Sequence, residues 1–174
     1  MDMRCPFITF SRLGKHGRLG NQLFQIAVVI AHSKKFGISA KFPKWHCKYD
    51  NIYYSDFFKN KIDESLQLDL IPHVKVYREP FFHYTEIPKQ INTDFYGYFQ
   101  SDKYFNHCLE EIKKLFEPKE AMIEQISEKY KNLTFSQICS IHIRRGDYIG
   151  SVHEICNIDY YRACCTNPIS PQKR

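Results

Sequence analysis

The sequence contains no run approaching the ~18 to 20 consecutive apolar residues that a membrane-spanning helix requires, and Met1-Asp2-Met3-Arg4-Cys5-Pro6-Phe7 holds no secretory hydrophobic stretch. No integral membrane segment and no signal peptide are therefore expected, and a cytoplasmic location is. Internal repeats and low-complexity tracts are missing too, which sets aside repeat architectures and linker-like chains. The seven cysteines, Cys5, Cys47, Cys108, Cys139, Cys156, Cys164 and Cys165, are odd in number and include no CxxC pair. That spacing argues against a zinc site and against a full disulfide framework. Cys108 and Cys139 fall on apolar faces and read as small core residues, and mostly free thiols suit a reducing compartment. Without a targeting signal, the sequon Asn132-Leu133-Thr134 and the tripeptide Arg145-Gly146-Asp147 carry no weight. The alternation of basic and aromatic residues found on RNA-recognition sheets is also lacking, so no nucleic-acid partner is expected.

What is present is an ordinary globular composition, 43% hydrophobic and 25% charged, in 174 residues. That length suffices for one domain with a core. Aromatics reach 16% and concentrate between Tyr49 and Phe105, where packing accounts for them. A net charge of +6 and a pI near 8.9 favour anionic partners without separating a nucleotide sugar from RNA or an acidic membrane. The basic residues are scattered, and the cluster with a chemical reading is Arg144-Arg145.

Patterning predicts a strand at 5–10, a loop at 11–20, a helix at 21–36 ended by Gly37, and a short strand at 38–42. Lys34 and Lys35 lie near the negative pole of that helix. Strand–helix–strand alternation implies a parallel sheet. Residues 43–72 are irregular, with Tyr53, Tyr54, Phe57 and Phe58 expected as buried anchors. Strands are expected at 74–78 and 93–99. A helix at 102–117 would bury Tyr104, Phe105, Cys108, Leu109, Ile112, Leu115 and Phe116, and Pro118 separates it from a helix at 119–131 on which Met122, Ile126 and Tyr130 align. Asn157 to Arg162 opens a further helix that dissolves into Cys164-Cys165-Thr166-Asn167-Pro168, and the tail beyond is expected to be disordered.

Three segments carry chemistry. In Ile141-His142-Ile143-Arg144-Arg145-Gly146-Asp147-Tyr148 an apolar run, read as a strand, ends in two guanidinium groups and a glycine turn. Strand ends at the carboxyl edge of an open α/β sheet are where ligands bind, and guanidinium forks match phosphate oxygens. The reading is an anion site for a diphosphate leaving group; the plainer alternative is a basic strand end with an Arg–Asp surface pair. Gly17-Arg18-Leu19-Gly20-Asn21-Gln22-Leu23-Phe24-Gln25 joins the first strand to a buried helix. Gly17 and Gly20 permit close approach of a ligand, and Asn21 stands where a helix cap would, beside free N–H groups able to receive a phosphate or a sugar hydroxyl. This segment could equally be a plain loop and helix start. Gly97-Tyr98-Phe99-Gln100-Ser101-Asp102-Lys103-Tyr104-Phe105 links an aromatic strand to a helix.

In this order, from about Ile8 to Tyr161, the three segments resemble glycosyltransferase family 11, the α-1,2-fucosyltransferase-like enzymes. The resemblance implies a Rossmann-like parallel sheet with flanking helices, the N-terminal part of a GT-B-type enzyme. It divides the chain into an N-terminal α/β domain at 1–135, the start of a nucleotide-sugar-binding domain at 136–165 and a tail at 166–174. Family motifs rich in Ser and Asp are absent after Tyr148, so a truncated member with an incomplete second domain is expected. The implied reaction is inverting transfer of L-fucose from GDP-fucose to a sugar hydroxyl, as in galactoside 2-α-L-fucosyltransferases. The transition state resembles an oxocarbenium ion. Arg144 and Arg145 would stabilise charge growing on the β-phosphate, with no metal, in agreement with the missing DxD signature. Gly17, Gly20 and Asn21 would line the donor side, with Gln22 supporting. His142 would hydrogen-bond ligand or backbone, or simply be a buried histidine. Asp147 would hold an arginine or, less favoured, act as general base. The remaining histidines lack ligand spacing. The alternative is an inactive truncated remnant or a non-catalytic binding protein, and a small basic RNA-binding protein rests on net charge alone.

Overall fold

The computed structural model describes residues 6–134, 136, 138, 140–143, 150 and 157–166. The chain divides into two compact units, residues 1–131 and 132–174.

The first unit is an α/β layer built on a parallel sheet. Strand β1 (Phe7–Thr9) has all three residues buried. Successive side chains point to opposite faces of a sheet, so both faces of β1 are covered, as a central parallel strand requires. Helix α1 (Leu19–Phe36) follows, then β2 (Ser39–Ala40), which pairs with β1 in parallel register, Phe7 opposite Ser39 and Ile8 opposite Ala40. Gly37 ends α1 in the left-handed region at φ 65°, where its N–H donates to the Ser33 carbonyl. A small antiparallel hairpin, β3 (His46–Cys47) and β4 (Ile52–Tyr53), occupies the irregular stretch. The sheet resumes with β5 (Lys75–Arg78) and β6 (Thr93–Tyr96), and its order is β2-β1-β6-β5, parallel throughout. Ile8, Phe10, Ile26, Val29, Phe42 and Phe95 form the fully buried centre.

Several boundaries depart from the sequence expectation. The helix foreseen at 102–117 is two 3-10 turns, Asp102–Tyr104 and Asn106–Cys108, followed by α2 (Leu109–Leu115). Tyr104 and Phe105 are adjacent yet both buried, one against Phe99 and the other against Phe24. Neighbours on an α-helix point about 100° apart, so serving both partners bends the chain out of a single helix. The anchors at 53–58 are also partly reassigned. Tyr54 and Phe58 are buried, but Tyr53 is 47% exposed, and Trp45 fills the interior stacked on Phe58. Helix α3 (Glu120–Lys129) forms where expected, yet none of its residues is buried.

In the second unit α4 (Ile158–Thr166) runs through Cys164 and Cys165, where the sequence suggested that the helix dissolves. Residues 140–143 are not in a strand, and Ile138, Ile141 and Ile143 are each about half exposed. An apolar run needs a pairing neighbour to become a stable strand, and among the described residues of this unit there is none. No helix among the described residues is long and apolar enough to cross a membrane.

Candidate functional site

The chain leaves β1 toward β2 on one side and returns through β5 and β6 on the other. β1 is thus the topological switch point, and the crevice beyond the carboxyl ends of β1 and β6 is where a ligand of an open α/β sheet belongs. Two loops frame it, residues 10–18 after β1 and 97–101 after β6.

Both loops are held by polar side chains, one buried and one half-buried. Asp94, at the second position of β6, accepts from the Ser11 N–H at 2.8 Å and from the Ser11 hydroxyl at 2.6 Å. Burial pushes the Asp94 carboxyl above its ordinary value, opposed by the Ser11 bonds and by the Arg12 guanidinium. Glu79, just after β5, accepts from the N–H groups of Tyr98 at 2.7 Å and Phe99 at 2.9 Å. Gly97 permits this approach, because a Cβ there would come within 2.6 Å of the Glu79 Oε2. Phe99, at φ 52°, completes the turn that ends the strand expected to reach 99.

From helix α1, Gln22 and Gln25 reach back into the loops. Gln22 is fully buried, donates to the Gly17 carbonyl at 2.7 Å and accepts from the Trp45 indole N–H at 2.6 Å. Gln25 is equally buried and donates to the His16 carbonyl at 2.9 Å and the Gly97 carbonyl at 3.4 Å. Unsatisfied polar groups are expensive in such surroundings. Gln22 is paired at both ends, whereas Gln25 uses its Nε2 to fix both loops and its buried Oε1 has no partner among the described residues.

The exposed rim is basic and aromatic. The guanidinium groups of Arg12 and Arg78 lie 4.5 Å and 4.7 Å from the Tyr96 ring centre. The His16 ring stacks on Tyr98 at 4.5 Å and lies 5.2 Å from Tyr96. Its proton affinity is lowered by burial first, then by Arg12 and Lys48.

The three sequence-derived donor residues of this unit lie together at the crevice. Gly17 has φ 80°, and a Cβ there would come within 2.6 Å of the Asn21 Cβ. Gly20 is exposed, with nothing within 4 Å of where a Cβ would stand, so packing does not explain it. Asn21 is not the cap. Helix α1 begins at Leu19 after Arg18, the Gln22 N–H closes onto the Arg18 carbonyl, and the Asn21 Oδ1 instead accepts from Gln100 at 2.6 Å. Starting the helix two residues earlier lets Gln22 and Gln25 point inward while Asn21 bridges to the other loop. Gln22 supports the site as a buried strut. His142 belongs to the second unit and is exposed. Arg144, Arg145 and Asp147 lie outside the described residues.

Sequence reasoning missed Ser11, Asp94, Glu79, Arg12, His16, Tyr96 and Gln25 as site-forming residues. One signal was available: two glutamines inside an otherwise apolar helix need partners, and those partners lie in the preceding loop, at Trp45 and at Gly97.

A parallel α/β sheet with a glycine-flanked loop braced at its switch point forms a crevice in the position where open α/β sheets bind their ligands. The family model for glycosyl transferase family 11 matches residues 10–167, and the chain belongs to that family. It is also 25% identical over 179 residues to the alpha-1,2-colitosyltransferase of Escherichia coli, an alignment that covers 83% of this chain and 59% of that protein. The chain therefore spans less than two thirds of the length of this curated relative. No solved structure matches.

Proposed function

We propose that this chain serves inverting transfer of L-fucose from GDP-fucose to a sugar hydroxyl, its first unit being the N-terminal domain of a GT-B-type enzyme. The observation that carries the reading is the family match across residues 10–167, which takes in both the glycine-flanked loop and the paired arginines. In this reading Arg144 and Arg145 hold the diphosphate and stabilise the charge that develops as the anomeric bond breaks. Because the arginines neutralise that charge, the reaction needs no metal. Gly17, Gly20 and Asn21 line the donor side, and the open space over Gly20 supports close approach of a ligand there. His142 donates a hydrogen bond to the donor, and Asp147 orients an arginine.

Calorimetric titration with GDP and GDP-fucose tests this, using the wild type, Arg144→Ala and Arg145→Ala. Arginine-dependent binding, with a rise of about 3 kcal/mol in the transfer barrier for either variant, is the expected result. A folded chain that binds neither ligand, or binds them equally well without the arginines, overturns it. The name of the E. coli relative makes a colitosyl donor the competing substrate, and parallel assays with both donors separate the two.

A further inference from the structure

We propose that His16 accepts the proton of the acceptor hydroxyl during transfer, an inference that rests on the transferase reading above. Inverting displacement needs a base on the side from which the acceptor attacks. At the switch-point edge the two carboxylates are already committed. Asp94 uses both oxygens on Ser11, and Glu79 holds the Tyr98 and Phe99 N–H groups. His16 differs. Its ring is fixed by stacking on Tyr98 and its carbonyl by Gln25, yet among the described residues neither ring nitrogen has a hydrogen-bond partner. The buried His32 and the exposed His107, by contrast, spend a ring nitrogen on the Gln90 N–H and the Ala31 carbonyl.

The charged groups that act on His16 are Arg12 in its own loop and Lys48 in the β3–β4 turn, while Arg78 lies over the Tyr96 ring that His16 also contacts. Burial first, then Arg12 and Lys48, favour the neutral ring, which leaves a basic nitrogen free. In the step itself the acceptor O–H bond breaks and its proton passes to the imidazole. The oxygen's electron pair forms the bond to the anomeric carbon. The bond from that carbon to the β-phosphate oxygen breaks, and the nucleoside diphosphate leaves with the pair. The imidazolium then returns its proton to water.

His16→Phe keeps the ring stack and removes the nitrogens; His16→Gln keeps a polar group without the basicity. For both we expect unchanged GDP affinity, acceptor KM within about threefold, and kcat lower by roughly 10²- to 10⁴-fold. The wild-type pH–rate profile should fall on the acid side, through a value below the ordinary histidine range of ~6.5, and the variants should lose that limb. A variant with kcat within threefold of wild type, or one that keeps the limb, sinks the proposal. So does a wild type that binds donor but transfers to no acceptor. If the wild type binds no GDP, the transferase reading falls and takes this one with it. Intact GDP binding with fully active variants removes His16 alone.

Discussion

Helices α1 and α3 lie in the same unit and both carry apolar residues at helical spacing, yet they have opposite relations to the interior. α1 buries eight residues, and three of them are polar: Gln22, Gln25 and His32. α3 buries none. Each of the three polar residues of α1 has a partner outside the helix, in the loop after β1, at Trp45 just before the hairpin and in the segment before β6, although the Gln25 Oε1 has none among the described residues. α1 is therefore a clamp as well as a core element, because each inward amide fixes one wall of the crevice. The contrast teaches that the apolar period identifies a helix, whereas the polar interruptions show what the helix is for.

The hardest test of the contrast is Gln22→Leu. Leucine keeps much of the volume but leaves the Trp45 indole N–H and the Gly17 carbonyl without this partner. At about 2 kcal/mol for each buried group, the loss should approach 4 kcal/mol, read from urea unfolding. A loss below 1 kcal/mol would mean that the clamp is idle.

Next in size is the pH dependence conferred by His32. This ring is buried, accepts from the Gln90 N–H at 3.0 Å, and is held to a pKa of about 4, chiefly by burial and then by Lys35. Its folded value lies below the unfolded one near 6.5, so the fold prefers the neutral ring. The stability is fully present above pH ~6.5 and is lost as pH falls from there toward ~4, on the order of 3 kcal/mol in all. Comparing wild type with His32→Gln across that window isolates the histidine from the carboxylates. Parallel curves would contradict the assignment.

The two glycines of the loop should then separate. Gly17→Ala forces a Cβ at φ 80° against Asn21 and should destabilise by about 2 kcal/mol. Gly20→Ala meets nothing within 4 Å and sits in the first turn of α1, so the free protein should gain up to about 1 kcal/mol of stability. GDP affinity should nonetheless weaken if ligand approach is why glycine stands there. Stability and affinity changing in the same direction would refute that explanation.

How much of this could be read from the sequence depends on the range of the interaction involved. The Gly37 cap, the parallel alternation and the apolar positions of 104–116 follow from local chemistry, and the structure bears them out. Ser11 and Asp94, 83 residues apart, meet only because β1 and β6 pair, which no local pattern announces. Trp45 went unnoticed because a lone indole in an irregular stretch has no period. The cap is Arg18, three residues before Asn21, because the Gln22 and Gln25 bonds to the loop outweigh the intrinsic preference for a polar cap. At 140–143 the local apolar pattern was real, but a strand is made by its neighbour.

The smallest expected effect belongs to α3. Ile126 is 53% exposed, and Ile123 and Tyr130 beside it are 41% and 37% exposed. Replacing Ile126 with Gln removes little buried apolar area and keeps a good helix former. Stability should change by no more than about 0.5 kcal/mol, the usual range for surface sites. Thermal and urea unfolding of Ile126→Gln beside Gln22→Leu would put both helices on one scale. If Ile126→Gln lost more than 1 kcal/mol, α3 would be covered in solution, and its alignment of Met122, Ile126 and Tyr130 would mark a packed face. The two helices would then differ in what covers them and no longer in whether they are covered.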